Sequence, residues 1–154
     1  MFRLLVALST IVTLAAFGDV GAAAQQAPSN SLRGAWLLAE LVEGPGSPNT
    51  SPLPSLSLFT ERHYSSMAVI GARPKFNPGQ ATDADKLATY DAFAGHSGTY
   101  EVSGTTVILH PMVSKNEYMM GTTPRAEFKV EGNTLTWTTM LGRTRAVAKY
   151  RSLD

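Results

Sequence analysis

The chain has no cysteine. That excludes disulfide staples, a thiol nucleophile, thiolate metal sites and a lipid-bearing cysteine behind a leader. It also has little charge, 16% of its residues, and the signs nearly cancel to a net +1. Such a balance gives no electrostatic pull toward nucleic acid or an anionic membrane. No G-x-S-x-G nucleophile turn is present, and neither of the glycine-rich phosphate loops, G-x-x-x-x-G-K-[ST] or G-x-G-x-x-G, occurs. His63, His96 and His110 form no H-x-H or H-x-x-x-H pair, and no aspartate or glutamate stands at ligand spacing. No metal site and no cofactor are therefore expected. No apolar run after Phe17 is long enough to span a bilayer.

What is present begins with a leader. Arg3 precedes the apolar run Leu4–Phe17, and Ala22-Ala23-Ala24 offers an A-x-A cleavage site. This is the pattern of a secretory signal peptide, and the run is short against the roughly 20 residues a membrane anchor needs. No Arg-Arg pair precedes it, which argues against the twin-arginine route. The expected organisation is a signal peptide over residues 1–24, a flexible polar leader over 25–31 and one domain over 32–154. The product is exported, to periplasm or medium, with no membrane-spanning segment after cleavage.

The domain reads as strands broken by turns. Trp36–Val42 is apolar and fits strand or helix, but Glu43–Pro54 holds four prolines and two glycines, so no helix continues across it. Leu56–Thr60 and His63–Ile70 pattern as strands around a tight Glu61-Arg62 connection. After the Gly71–Gln80 loop, Thr82 is a fair N-cap, with Asp83 and Asp85 in the first turn. Leu87, Tyr90, Phe93 and Ala94 then make an apolar helical stripe that Gly95 or Gly98 ends. Thr99–Val102, Thr105–Met112, Thr123–Glu131, Leu135–Met140 and Thr144–Arg151 are β-rich, and Ser103-Gly104 and Gly132-Asn133 are two-residue hairpin signals. About eight strands in meander order, with one short helix between the third and fourth, predict an all-β antiparallel up-and-down barrel. A barrel of eight holds either a filled core or one small ligand.

Gly34-Ala35-Trp36 resembles the G-x-W signature that opens the first strand of lipocalins. The order GAWLL, RHYSSMAVI, ARPKF, a short helix, GTYEV, TVILH, a late arginine and a terminal YR is similar to the bacterial lipocalin-like domain family, over nearly all of residues 32–154. The resemblance implies a small barrel whose tryptophan packs across the closed end against a basic residue of the last strand. Gly34, Trp36 and Arg151 carry over to those places. Two features depart from the family's pattern: Tyr150 stands where a tryptophan is common, and the first loop is rich in proline. The family has no agreed activity, so the resemblance speaks to fold.

Candidate ligand contacts follow from residue type. Tyr64, Met67, Tyr100, Met112, Phe128 and Trp137, with Tyr118, Met119 and Met120, supply aromatic and soft side chains among serines and threonines. They suit ordinary packing or an adaptable pocket for an apolar ligand with a polar end. His110 shares a face with Thr106, Ile108 and Met112. It is either a ligand contact or general base, or a strand-end histidine bonded to a carbonyl. Arg125 lies outside by simple alternation, and inside, facing a carboxylate, if Pro124 introduces a bulge. Arg73 belongs to a loop at the mouth, as an anion contact or a solvated residue. His63, at a strand start, and His96, at a helix end, are expected in solvent. The expected function is binding of a small, mostly apolar molecule inside the barrel. The alternatives are a cyclase or isomerase of a hydrophobic substrate, with His110 or a tyrosine such as Tyr100 moving the proton, and a filled barrel that binds a partner through its surface. Oligomeric state is open.

Overall fold

The computed structural model describes residues 31–77 and 79–154. The expected signal peptide and nearly all of the expected leader lie outside these residues. Eight strands are described: β1 Gly34–Glu43, β2 Ser55–Phe59, β3 His63–Val69, β4 Phe93–Ser103, β5 Thr106–Ser114, β6 Arg125–Glu131, β7 Thr134–Leu141 and β8 Thr144–Ser152. One helix, α1 Asp83–Asp91, lies between β3 and β4, and a 3-10 turn, Glu117–Met119, precedes β6. Each strand pairs antiparallel with the next, and β8 returns to β1, so the sheet is a closed barrel. Closure removes the unpaired edges an open meander would leave.

The connections divide by end. Residues 60–62, 104–105 and 132–133 turn tightly at one end, beside both β1's start and β8's finish. The long connections, 44–54, 70–92 and 115–124, are all at the other end, beside the two-residue turn 142–143. The short end is packed solid. Leu32, Trp36, Phe59, Tyr100, Val107 and Leu135 are buried together there.

Gly34 and Trp36 explain how that end is sealed. Trp36 is 3% exposed and its Nε1 donates to the Leu32 carbonyl at 2.8 Å. The backbone Ala35 N–H donates to Asp154 Oδ2 at 2.8 Å, and Leu153 N–H donates to the Ala35 carbonyl. Gly34 has φ +131°, and a Cβ there would stand 2.5 Å from Asp154 Oδ2. Glycine therefore lets the last residue fold under the first strand. Arg151 corrects the expectation drawn from the resemblance. Tyr150 and Ser152 take the inward positions of β8, so Arg151 between them is exposed and pairs with Leu37 through the backbone alone. Its place under Trp36 is taken by Leu32 and the C-terminal residues.

Two irregularities reset which residues face inward. In β1 the register against β8 shifts between Leu38 and Glu40, so the inward series runs Trp36, Leu38, Leu41, Glu43. In β5 the shift opposite Ser97 and Gly98 leaves Met112 as the extra residue. Val107, Leu109 and Pro111 are buried in β5, while Met112 is 65% exposed. The face carrying Thr106, Ile108 and His110 is accordingly the outer one.

The helix is capped as expected. Asp85 N–H donates to Thr82 Oγ1 at 3.2 Å, and Thr82 N–H donates to Asp85 Oδ2 at 2.9 Å. It ends earlier than Gly95, however, and Phe93 and Ala94 belong to β4. The apolar stripe is not a buried one: Leu87 and Tyr90 are 61% and 53% exposed. Lys115 holds the helix instead. Its ammonium donates to the carbonyls of Tyr90 and Phe93 and lies 3.9 Å from the Tyr90 ring centroid.

Candidate functional site: a cavity behind the open end

Above the packed end the barrel is hollow. The cavity measures about 760 Å³, within the range of small-molecule sites. Its floor is aromatic and aliphatic: Phe59, Tyr64, Leu109, Leu135 and Trp137. Phe59 stacks on Tyr64 with centroids 6.3 Å apart and tilts against Trp137 at 6.1 Å. Pro52, Leu53, Ile70, Tyr118, Met119 and Leu141 form the rim, all from the long connections or strand ends.

The walls differ in chemistry. On β6–β8 the lining is mostly apolar, Ala126, Leu135, Trp137, Ala146 and Ala148, with Thr139, Tyr150 and, at the strand start, Arg125. On β2–β4 Ser55, Ser57, Tyr64, Ser66 and His96 stand beside Phe59, Ala68 and Val69. Upper β2 therefore places serine inside and leucine outside. Ser55 and Ser57 are each 7% exposed, while Leu58 and Met67, on the outer face, are 39% and 44% exposed. Ser57 and Ser66 share a hydrogen bond of 3.1 Å between their hydroxyls. Tyr150 is pushed up from its ordinary pKa by burial, an effect partly offset by the Ser55 hydroxyl beside it.

Tyr64, on the floor, and His96, on the β4 wall, are a titratable pair. The Tyr64 hydroxyl lies 3.0 Å from His96 Nδ1, and the rings meet edge-on with centroids 5.4 Å apart. Burial pushes the Tyr64 phenol up to about 12 and holds the His96 imidazole below its ordinary pKa. Both causes favour uncharged groups, so the pair is a phenol hydrogen-bonded to a neutral imidazole. The charged residues of the lining, Glu43 and Arg125, stand at strand ends.

Closed strand order, eight antiparallel strands, the helix after β3 and the Gly34–Trp36 seal decide the architecture. The chain folds as a lipocalin-like barrel. No family model matches the chain, and no curated protein matches it. Among solved structures it is similar to a lipocalin-like protein from Bacteroides uniformis ATCC 8492, with 10% identity, a TM-score of 0.49, and coverage of 80% of this chain and 99% of that one.

The lipocalin-like barrel distributes the expected site residues unevenly. Tyr64 and Trp137 line the cavity, and Arg125 reaches it, exposed. Met67 and Met112 are on the outer surface. Tyr100 is buried below the floor, where its hydroxyl donates to the Thr60 carbonyl at 2.7 Å and its ring meets Phe59 edge-on. Phe128 packs on the core cluster at the closed end. His110 faces away from the cavity, with Nε2 3.4 Å from Glu101 Oε1 but without hydrogen-bond geometry. Among the described residues no group of three or more His, Asp or Glu is placed to hold a metal, and no helix is long and apolar enough to cross a membrane.

His96 is the residue that sequence reasoning misplaced. Ending the helix at Gly95 or Gly98 put it in solvent. It belongs to β4, pairs with Ser66 and Ser114, and points inward with Gly98 and Tyr100. The usable signal was period-2 alternation read backwards from Tyr100 through the glycines.

Proposed function

We propose that the protein binds a small, mostly apolar molecule in this cavity. The observation that carries the reading is a hollow of about 760 Å³ with a sealed floor and an open mouth. Apolar surface buried there is worth about 25 cal/mol per Å², and the serine, tyrosine and histidine wall would orient a polar end. The apolar leader and the Ala22-Ala23-Ala24 site support export, with Gln25 as the mature N-terminus. The test is a native mass spectrum of protein exported from a bacterial host, before and after organic extraction. A discrete extra mass that leaves on extraction is expected, on a chain beginning at Gln25. A protein that takes up no apolar probe after extraction would overturn the binding reading.

A second reading rests on the Tyr64–His96 pair. A neutral imidazole beside a phenol is equipped to move a proton on a substrate held in an apolar chamber. Conversion of the extracted molecule by wild-type protein, lost in His96→Ala, would turn the binding protein into an isomerase or cyclase.

A further inference from the structure

The β2–β4 wall of the cavity carries hydrogen-bonding groups and no charge, and this constrains the head group of a ligand. Ser57 and Ser66 share one hydrogen bond. Tyr64 and His96 are joined at Nδ1. A phenol is the better donor and an imidazole nitrogen the better acceptor. With Tyr64 donating to Nδ1, the neutral ring carries its proton on Nε2. No partner for Nε2 occurs among the described residues, and His96 lines the cavity.

We propose that the cavity selects uncharged ligands with a carbonyl oxygen, which accepts a hydrogen bond from His96 Nε2 on the β2–β4 wall while the apolar remainder lies along Trp137 and Ala148. Esters, ketones and lactones fit this description. A carboxylate does not. The β2–β4 wall holds no cation among the described residues, and a buried carboxylate without one loses its hydration uncompensated. Arg125 offers a cation, but on β6, where a fatty acid would seat its head away from His96. Burial also holds the imidazole neutral, so it supplies a neutral donor and not an ion-pair partner.

The inference rests on the cavity-binding reading, and three probes of one chain length separate the two. Dodecane, methyl laurate and laurate, each below its aggregation limit, are titrated into delipidated protein, with affinity measured by calorimetry and by Trp137 fluorescence. Methyl laurate is expected to bind about fivefold more tightly than dodecane, the worth of one net hydrogen bond. It is expected to bind at least about tenfold more tightly than laurate at neutral pH. In His96→Leu the ester should lose its advantage while dodecane affinity stays within about twofold, and His96→Gln, which retains an amide donor, should restore part of it. Should laurate bind as well as the ester and lose that affinity in Arg125→Gln, the head lies at Arg125 and the inference is overturned. Equal binding of ester and alkane overturns the inference and leaves the cavity reading standing. Binding of none of the three overturns both.

Discussion

Gly98→Ala tests the register on which the site depends. Gly98 lies in β4 between Tyr64 on β3 and Pro111 on β5. A Cβ built on it would fall 2.0 Å from the His110 carbonyl oxygen and 2.9 Å from Met112 N. Both atoms are backbone, so no rotamer change relieves the contact. Ordinary contact begins near 3.4 Å, and β5 would have to retreat by about 1.4 Å in an interior packed like an organic crystal. Overpacking of this kind costs about 3 kcal/mol, which for a domain of this size lowers Tm by roughly 10–15 °C. Gly95→Ala, three positions earlier, is the control. Its Cβ would meet the Phe93 ring at 3.1 Å, a side chain able to turn, and the expected cost is under about 1 kcal/mol. Thermal unfolding followed by circular dichroism reads both variants. His96 sits two residues before Gly98 on the same face, so ligand affinity should fall with stability in Gly98→Ala alone. If Gly98→Ala melts within about 3 °C of wild type, β5 does not approach β4 as described and the inward placement of His96 loses its support.

Other perturbations reach other parts of the molecule. Ala148→Phe, on the apolar wall, should abolish uptake of methyl laurate in the same calorimetric titration while leaving Tm close to wild type, because the ring enters empty space. The raised Tyr64 pKa predicts alkaline weakness. The unfolded phenol ionises near 10 and the folded one near 12, so the unfolded state binds fewer protons between them and stability falls as pH rises, by roughly 2–3 kcal/mol in total. Urea unfolding across that range should show a steeper slope in wild type than in Tyr64→Phe, which keeps the contribution of buried Tyr150. His96 acts at the other end. Its pKa is lowered in the fold from the ordinary 6.5, so stability contributed by the neutral ring is lost as pH falls below about 6.5, and His96→Gln should flatten that limb of the same curve. Thr82→Ala removes the helix cap at a cost of about 1 kcal/mol, seen as faster hydrogen exchange in α1 with Tm nearly unchanged, since no residue of α1 is buried.

The fold was legible where the chain uses local rules. Two-residue turns, period-2 alternation in β6 and β7, and Thr82 with acidic residues behind it are read from neighbours alone. The site was less legible because it depends on long-range register. The bulge at Met112 and the shift at Ala39 change which face looks inward; no proline or glycine marks Ala39, and Pro111 and Gly98 beside the bulge do not give its register. His96 was lost for a different reason. Glycine next to an apolar helical stripe signals a C-cap, but at Gly98 the missing side chain serves the approach of β5. A glycine with two physical uses cannot be assigned from the residues beside it.

Serine inside and leucine outside on β2 also argues against a filled barrel. Had selection there been for stability alone, Leu58 would face the interior and Ser57 the solvent, since burying an aliphatic side chain is worth about 1.5–3 kcal/mol and burying a hydroxyl costs unless it is paired. The observed order is the reverse, and β3 repeats it with Ser66 inside and Met67 outside. The two inward serines then share a hydrogen bond across the strands. Small side chains on that wall leave volume that leucines would occupy. The closed end, with Trp36, Val107 and Leu135 fully packed, supplies the core that the upper half gives up. Stability is thus concentrated below the Phe59–Tyr64 floor, and the space above it is free to be shaped by what enters.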